Sequence, residues 1–292
     1  MNKKLSTLIL AAAALLVSCS QDELQNTVNN NEGMKPMTIS VALPDGMSTR
    51  AVATDDATDA HCFLQILDGN GTDLDGGYSA VQKMSKTSGG YTATVYLKED
   101  ATYDFLFWAT SESNASTPAD LRNVSYTNGE TLVWAGRALD RQWSADGVTC
   151  KLEHAVSRIT LQTTGNLTVN DLQTLTLAVP STFTAYNVEE MAPVGTTKQN
   201  YTYSFGTINI SNESLSNPVA IGHFYALVDG EPQTLTLQYN GPLDNAPKEI
   251  SNVPLAPNTH VVLSGDVANS GLTSGNITAT VDNDWSDDTQ NF

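Results

Sequence analysis

Short runs of alternating apolar and polar residues, each closed by a turn cluster, recur along this chain and restrict it to a β architecture. In an extended chain, side chains i, i+2 and i+4 share a face, so alternation marks a strand with one buried side. Thr38–Leu43 alternates, with Ile39, Val41 and Leu43 on one face. Cys62–Leu67 is a strand that ends in the turn formers Asp68-Gly69-Asn70-Gly71. Tyr91–Leu97 alternates over its whole length, whereas Tyr103–Ala109 is almost wholly apolar, as expected of a strand covered on both faces. Val148–Thr163 is a long β-prone stretch. The second half continues in the same style with Thr174–Val179, ending at Pro180, then Tyr201–Ile210, Gly222–Val228, Thr234–Tyr239, His260–Gly265 and Asn276–Val281. Turn residues punctuate near the spacing of about 8–12 residues that sandwiches use. Helical periodicity is weak throughout. Ser116–Arg122 is the best short-helix candidate, with Thr117 as cap and Pro118 at the first helical position.

The chain has 292 residues, 40% hydrophobic and 16% charged, enough apolar material for packed cores. At roughly 100–200 residues per domain, two domains are expected. The expected fold is all-β: two tandem β-sandwich domains of transthyretin-like, Greek-key type, 37–164 and 165–292, meeting at the turn-like Thr164-Gly165-Asn166. Basic residues number 14 against 32 acidic ones, giving a net charge of −18. Such a surface repels nucleic acid, which is excluded as a partner.

The first residues carry an export signal. Lys3 and Lys4 precede the ten-residue apolar run Leu8–Val17, half of the ~20 residues a spanning helix needs. The run ends in Leu16-Val17-Ser18-Cys19, a lipobox. Residues 1–18 therefore read as a lipoprotein signal peptide cut between Ser18 and Cys19, whose thiol accepts diacylglycerol. Two acyl chains bury enough methylenes for stable anchoring in outer-membrane lipid. Residues 19–36 are polar and Asn-rich and read as a flexible tether. Gln21-Asp22-Glu23, just after the acylated Cys19, resembles the acidic signal that sends some lipoproteins to the outer cell face.

Candidate chemistry is sparse. Asp68–Gly76 has the composition of a calcium loop, but an EF-type loop wants Gly at position 6 and Glu at 12, and Asp73 and Ser79 stand there. A hairpin loop explains it better. Asp282-Asn283-Asp284 with Asp287-Asp288 reads as a solvated acidic terminus. The four His residues are scattered, with no metal-binding spacing, and no metal or other cofactor is expected. There is no G-x-S-x-G elbow and no phosphate loop. Glu189-Glu190 offers two carboxylates, but nothing sets their separation as a glycosidase requires. No catalytic residue is assigned. Cys62 and Cys150 enter an oxidising compartment, either as a disulfide or as two buried thiols acting as small hydrophobes. Of the four tryptophans, Trp108 lies in an apolar strand and belongs to the core; Trp134, Trp143 and Trp285 are open as sugar-stacking platforms. Arg50, in Ser48-Thr49-Arg50-Ala51, is either an ordinary loop arginine or a tryptic-type processing site before Ala51.

Several segments together resemble the fimbrillin family, the lipoprotein-derived type V pilins and related surface lipoproteins of Gram-negative anaerobes. They are Leu16-Val17-Ser18-Cys19, the Asn-rich tether, a first strand followed by Thr49-Arg50-Ala51, and the apolar Tyr103–Ala109. Lys151-Leu152-Glu153-His154-Ala155-Val156-Ser157-Arg158-Ile159 resembles the family's L-x-H-A-x-x-x-I strand. Val253–Thr259 with Gly265-Asp266-Val267 resembles its proline-leucine-x-x-Asn…Gly-Asp segment. The resemblance spans most of residues 37–285. It implies a mechanism in which a trypsin-like protease cuts after Arg50, the strand containing Thr38, Ile39, Val41 and Leu43 leaves, and a strand from another pilin subunit fills the groove. Only seven residues follow Trp285, mostly polar or acidic. The family's stalk pilins carry a donor segment there, so a tip, accessory or anchor subunit, or a non-polymerising relative, is expected. The chain reads as a non-enzymatic lipoprotein of the outer membrane, surface-exposed, in a fimbrium if assembled, with a host protein or glycan as further partner. The alternative is a glycan-binding surface lipoprotein.

Overall fold

A computed structural model of the chain describes residues 33–44, 60–164, 173–208, 219–240, 247–265 and 277–282. Ser18, Cys19, Arg50, Ala51, Trp285 and the Gly165-Asn166 boundary lie outside the described residues. The described residues are all-β. Their only helical element is a 3-10 turn at Asp75–Gly77.

Twenty strands form five sheets among the described residues. The first sheet has the order β4 (Ser85–Thr87), β5 (Gly90–Lys98), β1 (Met34–Ala42), β9 (Val148–Lys151). The second runs β10 (Glu153–His154), β8 (Val133–Gln142), β6 (Thr102–Thr110), β2 (His61–Asp68), β3 (Gln82–Lys83). The third is β16 (Val219–Ala226), β11 (Ser157–Thr163), β19 (Thr259–Gly265), β20 (Thr278–Asp282). The fourth is β15 (Gln199–Ile208), β12 (Gln173–Thr182), β17 (Gln233–Asn240), β18 (Lys248–Val253). A small fifth sheet joins β14 (Ala192–Pro193), β13 (Ala185–Asn187) and β7 (Val124–Ser125).

Two hydrophobic cores result, each shared by the apolar faces of two sheets. The first takes Met37, Ile39 and Val41 from β1, Val95 and Leu97 from β5, Phe105 and Phe107 from β6, and Trp134 from β8. The second takes Ile159 and Leu161 from β11, Leu175 and Leu177 from β12, Leu235 and Leu237 from β17, and Val261 and Leu263 from β19. Phe183, Tyr186, Val188, Tyr225 and Leu227 come from the second half of the chain yet pack in the first core. Tyr186 places its ring 5.5 Å from Trp108. β6 is buried along nearly its whole length, as its unbroken apolar run requires.

Three local expectations change. Ser116–Arg122 is not helical. The Leu121 amide donates to the buried Gln65 Oε1 at 2.7 Å, and Asp120 Oδ1 accepts from the Arg122 amide at 2.9 Å, so side chains take the bonds a helix would use. β12 does not stop at Pro180 but continues to Thr182. A register shift between Val179 and Thr182 in its pairing with β15 leaves Pro180 without a ladder bond to lose. β1 begins at Met34, so Met34–Pro36 belong to the strand rather than to the tether, and Leu43 lies just past its end, half-buried against the first core.

Candidate functional site

The site is the seat of β1 in the first sheet. β1 pairs antiparallel with β5 from Met34 opposite Lys98 to Val41 opposite Tyr91. It also pairs parallel with β9, but only from Ile39 opposite Val148 to Ala42 opposite Lys151. β1 is therefore internal to its sheet, because β9 returns beside it. Met37, Ile39 and Val41 are at most 2% exposed, whereas Pro36 and Thr38 face outward. Val148 and Cys150 on β9 share the inner face with Ile39 and Val41, so removing β1 uncovers both.

The two halves of β1 are held differently. Backbone groups along an antiparallel strand point alternately toward and away from the partner. Thr92 Oγ1 on β5 donates to the Ile39 carbonyl at 3.1 Å, which places odd-numbered carbonyls on the β5 side. The Ala42 carbonyl points the other way and accepts from the Leu152 amide at 3.0 Å. Pro36 shares that orientation, at a level β9 does not reach. The N–H that Pro36 lacks is therefore not missed. Its carbonyl accepts the Trp143 indole Nε1–H at 3.1 Å. Lys35 Nζ stands 5.2 Å from the centre of the Trp143 ring and 2.7 Å from Glu99 Oε1.

Two glycines let the neighbouring backbone close on the strand. Gly147, at φ +76°, lies so near the Thr38 carbonyl that any Cβ would collide with it. Gly90, at φ +142°, stands in the same relation to the Val41 carbonyl on the β5 side. Both φ values lie where side chains are strained, so the close approach and the conformation each demand glycine. Beside Gly147 an open groove of about 610 Å³ is lined by Thr102, Asp140, Arg141, Gln142 and Trp143 among others.

Cys62 and Cys150 are both free and buried. Cys62 Sγ lies 3.6 Å from Met84 Sδ, and Cys150 Sγ points at the Arg137 carbonyl at 3.8 Å. Burial pushes the Cys150 thiol up to about 11 and raises Cys62 further, so both stay protonated, as small hydrophobes do. Trp108 and Trp134 are buried, which removes them as stacking platforms; Trp143 is half-exposed. Asp68 Oδ1 accepts the Thr72 amide at 2.8 Å and the Asn70 amide at 2.9 Å, so the carboxylate closes a turn. Asp73 pairs with Arg122 Nη2 at 2.7 Å. Among the described residues no group of three or more His, Cys, Asp or Glu could hold a metal ion. Glu189 and Glu190 sit in the turn between β13 and β14, and the Glu189 carbonyl accepts from Arg137 Nη1.

The two motif segments of the second resemblance meet. His154 Nδ1 lies 3.0 Å from Asn258 Oδ1, and the Asn258 amide donates to the Val156 carbonyl at 3.1 Å. Burial, opposed by the Asn258 contact and assisted by nearby Arg158, holds the imidazole down at about 4. Leu152, Ala155 and Val156 belong to the first core and Ile159 to the second, so this contact sits where the chain passes between cores. Sequence reasoning missed Gly90, Gly147 and Trp143 as parts of the seat. Ser88-Gly89-Gly90 and Asp146-Gly147 were visible as turn signals, but nothing local marks a glycine that faces a strand distant in the sequence.

No protein-family model matches the sequence, and no curated protein matches it. Solved structures do match. A candidate cell adhesion protein of Bacteroides ovatus aligns at a TM-score of 0.53 and 12% identity, over 85% of this chain and 97% of its own. A second, from Bacteroides uniformis, aligns at 0.51 and 15% identity, over 86% and 98%. A fimbrial assembly protein of Parabacteroides distasonis aligns at 0.50 and 12% identity, over 85% and 99%. This chain has the all-β fold of those cell adhesion and fimbrial assembly proteins, as its resemblance to the fimbrillin family implied.

Proposed function

We propose that this chain is a non-enzymatic cell-surface lipoprotein of the fimbrillin type, a tip, accessory or anchor subunit or an adhesin, assembled by strand exchange. Cys19, acylated, holds it in outer-membrane lipid, and other pilin subunits join it through the β1 seat. The observation that carries this reading is the place of β1: a first strand, internal to its sheet, joined to β2 through the segment that contains Arg50. Cleavage between Arg50 and Ala51 leaves β1 bound only by non-covalent contacts. Its departure frees two facing strand edges, β5 and β9, above a groove floored by the first core. Unpaired edges of that kind recruit an extended strand from another chain. Each backbone bond adds about 1 kcal/mol and each buried apolar side chain about 1.5–3 kcal/mol, so the joint outlasts an ordinary surface contact.

An arginine-specific protease applied in limiting amount is expected to give a new N-terminus at Ala51, and the cut protein is expected to form oligomers or take up an added β1-like strand. A different terminus, or cut protein that stays monomeric and refuses any strand, sinks strand exchange and leaves a monomeric surface binder. Anchoring is tested separately. Cys19→Ala is expected to abolish fatty-acid labelling and leave uncleaved precursor, because the acceptor is the thiol itself; label retained in the variant refutes the lipid anchor.

A further inference from the structure

We infer that Trp143, Glu99 and the residue at position 35 form a charge-reading clasp at the upstream end of the β1 seat. It holds the native strand and selects incoming strands that carry a cation at that position. The selection rests on the strand-exchange reading; the clasp on the native strand does not. β9 reaches no further up than Ile39, so among the described residues no strand pairs with the outer side of Met34–Met37. A bare edge there would fray or recruit a foreign strand. In this lane the Trp143 indole donates to the Pro36 carbonyl at 3.1 Å. That bond is to backbone and takes any sequence.

Charge is read one residue earlier. Lys35 Nζ sits 5.2 Å from the Trp143 ring centre and 2.7 Å from Glu99 Oε1, so a cation at this point meets an electron-rich ring face and a carboxylate together. An anion there meets repulsion from both. The rest of the seat reads only pattern: apolar side chains at positions 37, 39 and 41 and carbonyls against Gly147 and Gly90. The fitting partner is therefore an extended segment of the form basic-x-apolar-x-apolar-x-apolar, antiparallel to β5.

Hydrogen exchange on the intact full chain tests the clasp. Trp143→Leu is expected to speed exchange of amides in 34–38 about fivefold while 102–110 in β6 keeps wild-type protection. Unchanged exchange at 34–38, or an equal rise in both segments, overturns it. Selection is tested on arginine-protease-cut full chain with the peptide KPMTISVA and its Lys35→Glu counterpart. The Lys peptide is expected to displace β1 about tenfold more effectively, with the ratio falling toward one in Glu99→Gln. Equal capture of both peptides by the wild type overturns selection by charge. Capture of neither sinks strand exchange and the selection with it, leaving the exchange data to decide the clasp.

Discussion

Ile39→Asp is expected to unseat β1 and lower the stability of the intact protein by about 4 kcal/mol or more. Ile39 is fully buried in the middle of β1, a strand that pairs with β5 on one side and β9 on the other. The substitution removes an apolar side chain worth about 2–3 kcal/mol and puts a carboxyl group with no partner in its place. Its same-face neighbours Met37, Val41, Ala93 and Val148 are all apolar. The least costly relief is release of the strand, because β1 reaches β2 through a long connection and can leave without unravelling the second sheet. Thr38→Asp is the matched control, since Thr38 is exposed on the opposite face and its substitution belongs within about 0.5 kcal/mol of wild type. Urea unfolding of the two variants decides the matter. Equal midpoints for Ile39→Asp and Thr38→Asp, or a tolerated Ile39→Asp, contradict the placement of β1.

Acidification from about pH 6.5 toward 4 is expected to cost about 3 kcal/mol through His154 alone. The folded imidazole is held at about 4, against an ordinary value of 6.5, chiefly by burial. Between those two values the unfolded chain binds a proton that the folded chain does not. Stability is therefore full above 6.5, falls as the pH drops through that window and levels off below about 4. Protonation also places a second cation near Arg158. The cost lands where Ala155 and Val156 leave the first core and Ile159 enters the second, so the passage between cores loosens first. His154→Gln keeps a donor for Asn258 Oδ1 and removes the titration. Carboxylates also titrate below pH 5, so the difference in slope between wild type and variant, measured from pH 6.5 to 5, is the diagnostic. Identical slopes would falsify the assignment.

Much of the fold was legible because strand periodicity is local. β2, β5 and β6 fall within a residue or two of the runs Cys62–Leu67, Tyr91–Leu97 and Tyr103–Ala109. β8 was missed, although it is internal to its sheet. Its Ala-Gly-Arg-Ala-Leu segment has no alternation and leans toward helix by propensity; pairing with β6 from Thr110 opposite Val133 decides it. β18 was missed for another reason. Its buried residues Ile250 and Val253 are three apart, because the strand bulges around Asn252 at φ +57°, and a bulge erases the period of two.

The same division runs through the site. The all-β class and the apolar face of Ile39 and Val41 follow from the sequence, since each depends on residues close together along the chain. Tertiary structure alone decided that β1 is internal, that Trp143 reaches across 107 residues to Pro36, that Gly147 and Gly90 close on its carbonyls, and that Asn258 meets His154. Those contacts depend on which strand returns beside which, and strand order is set by burial summed over whole sheets rather than by any local run of residues.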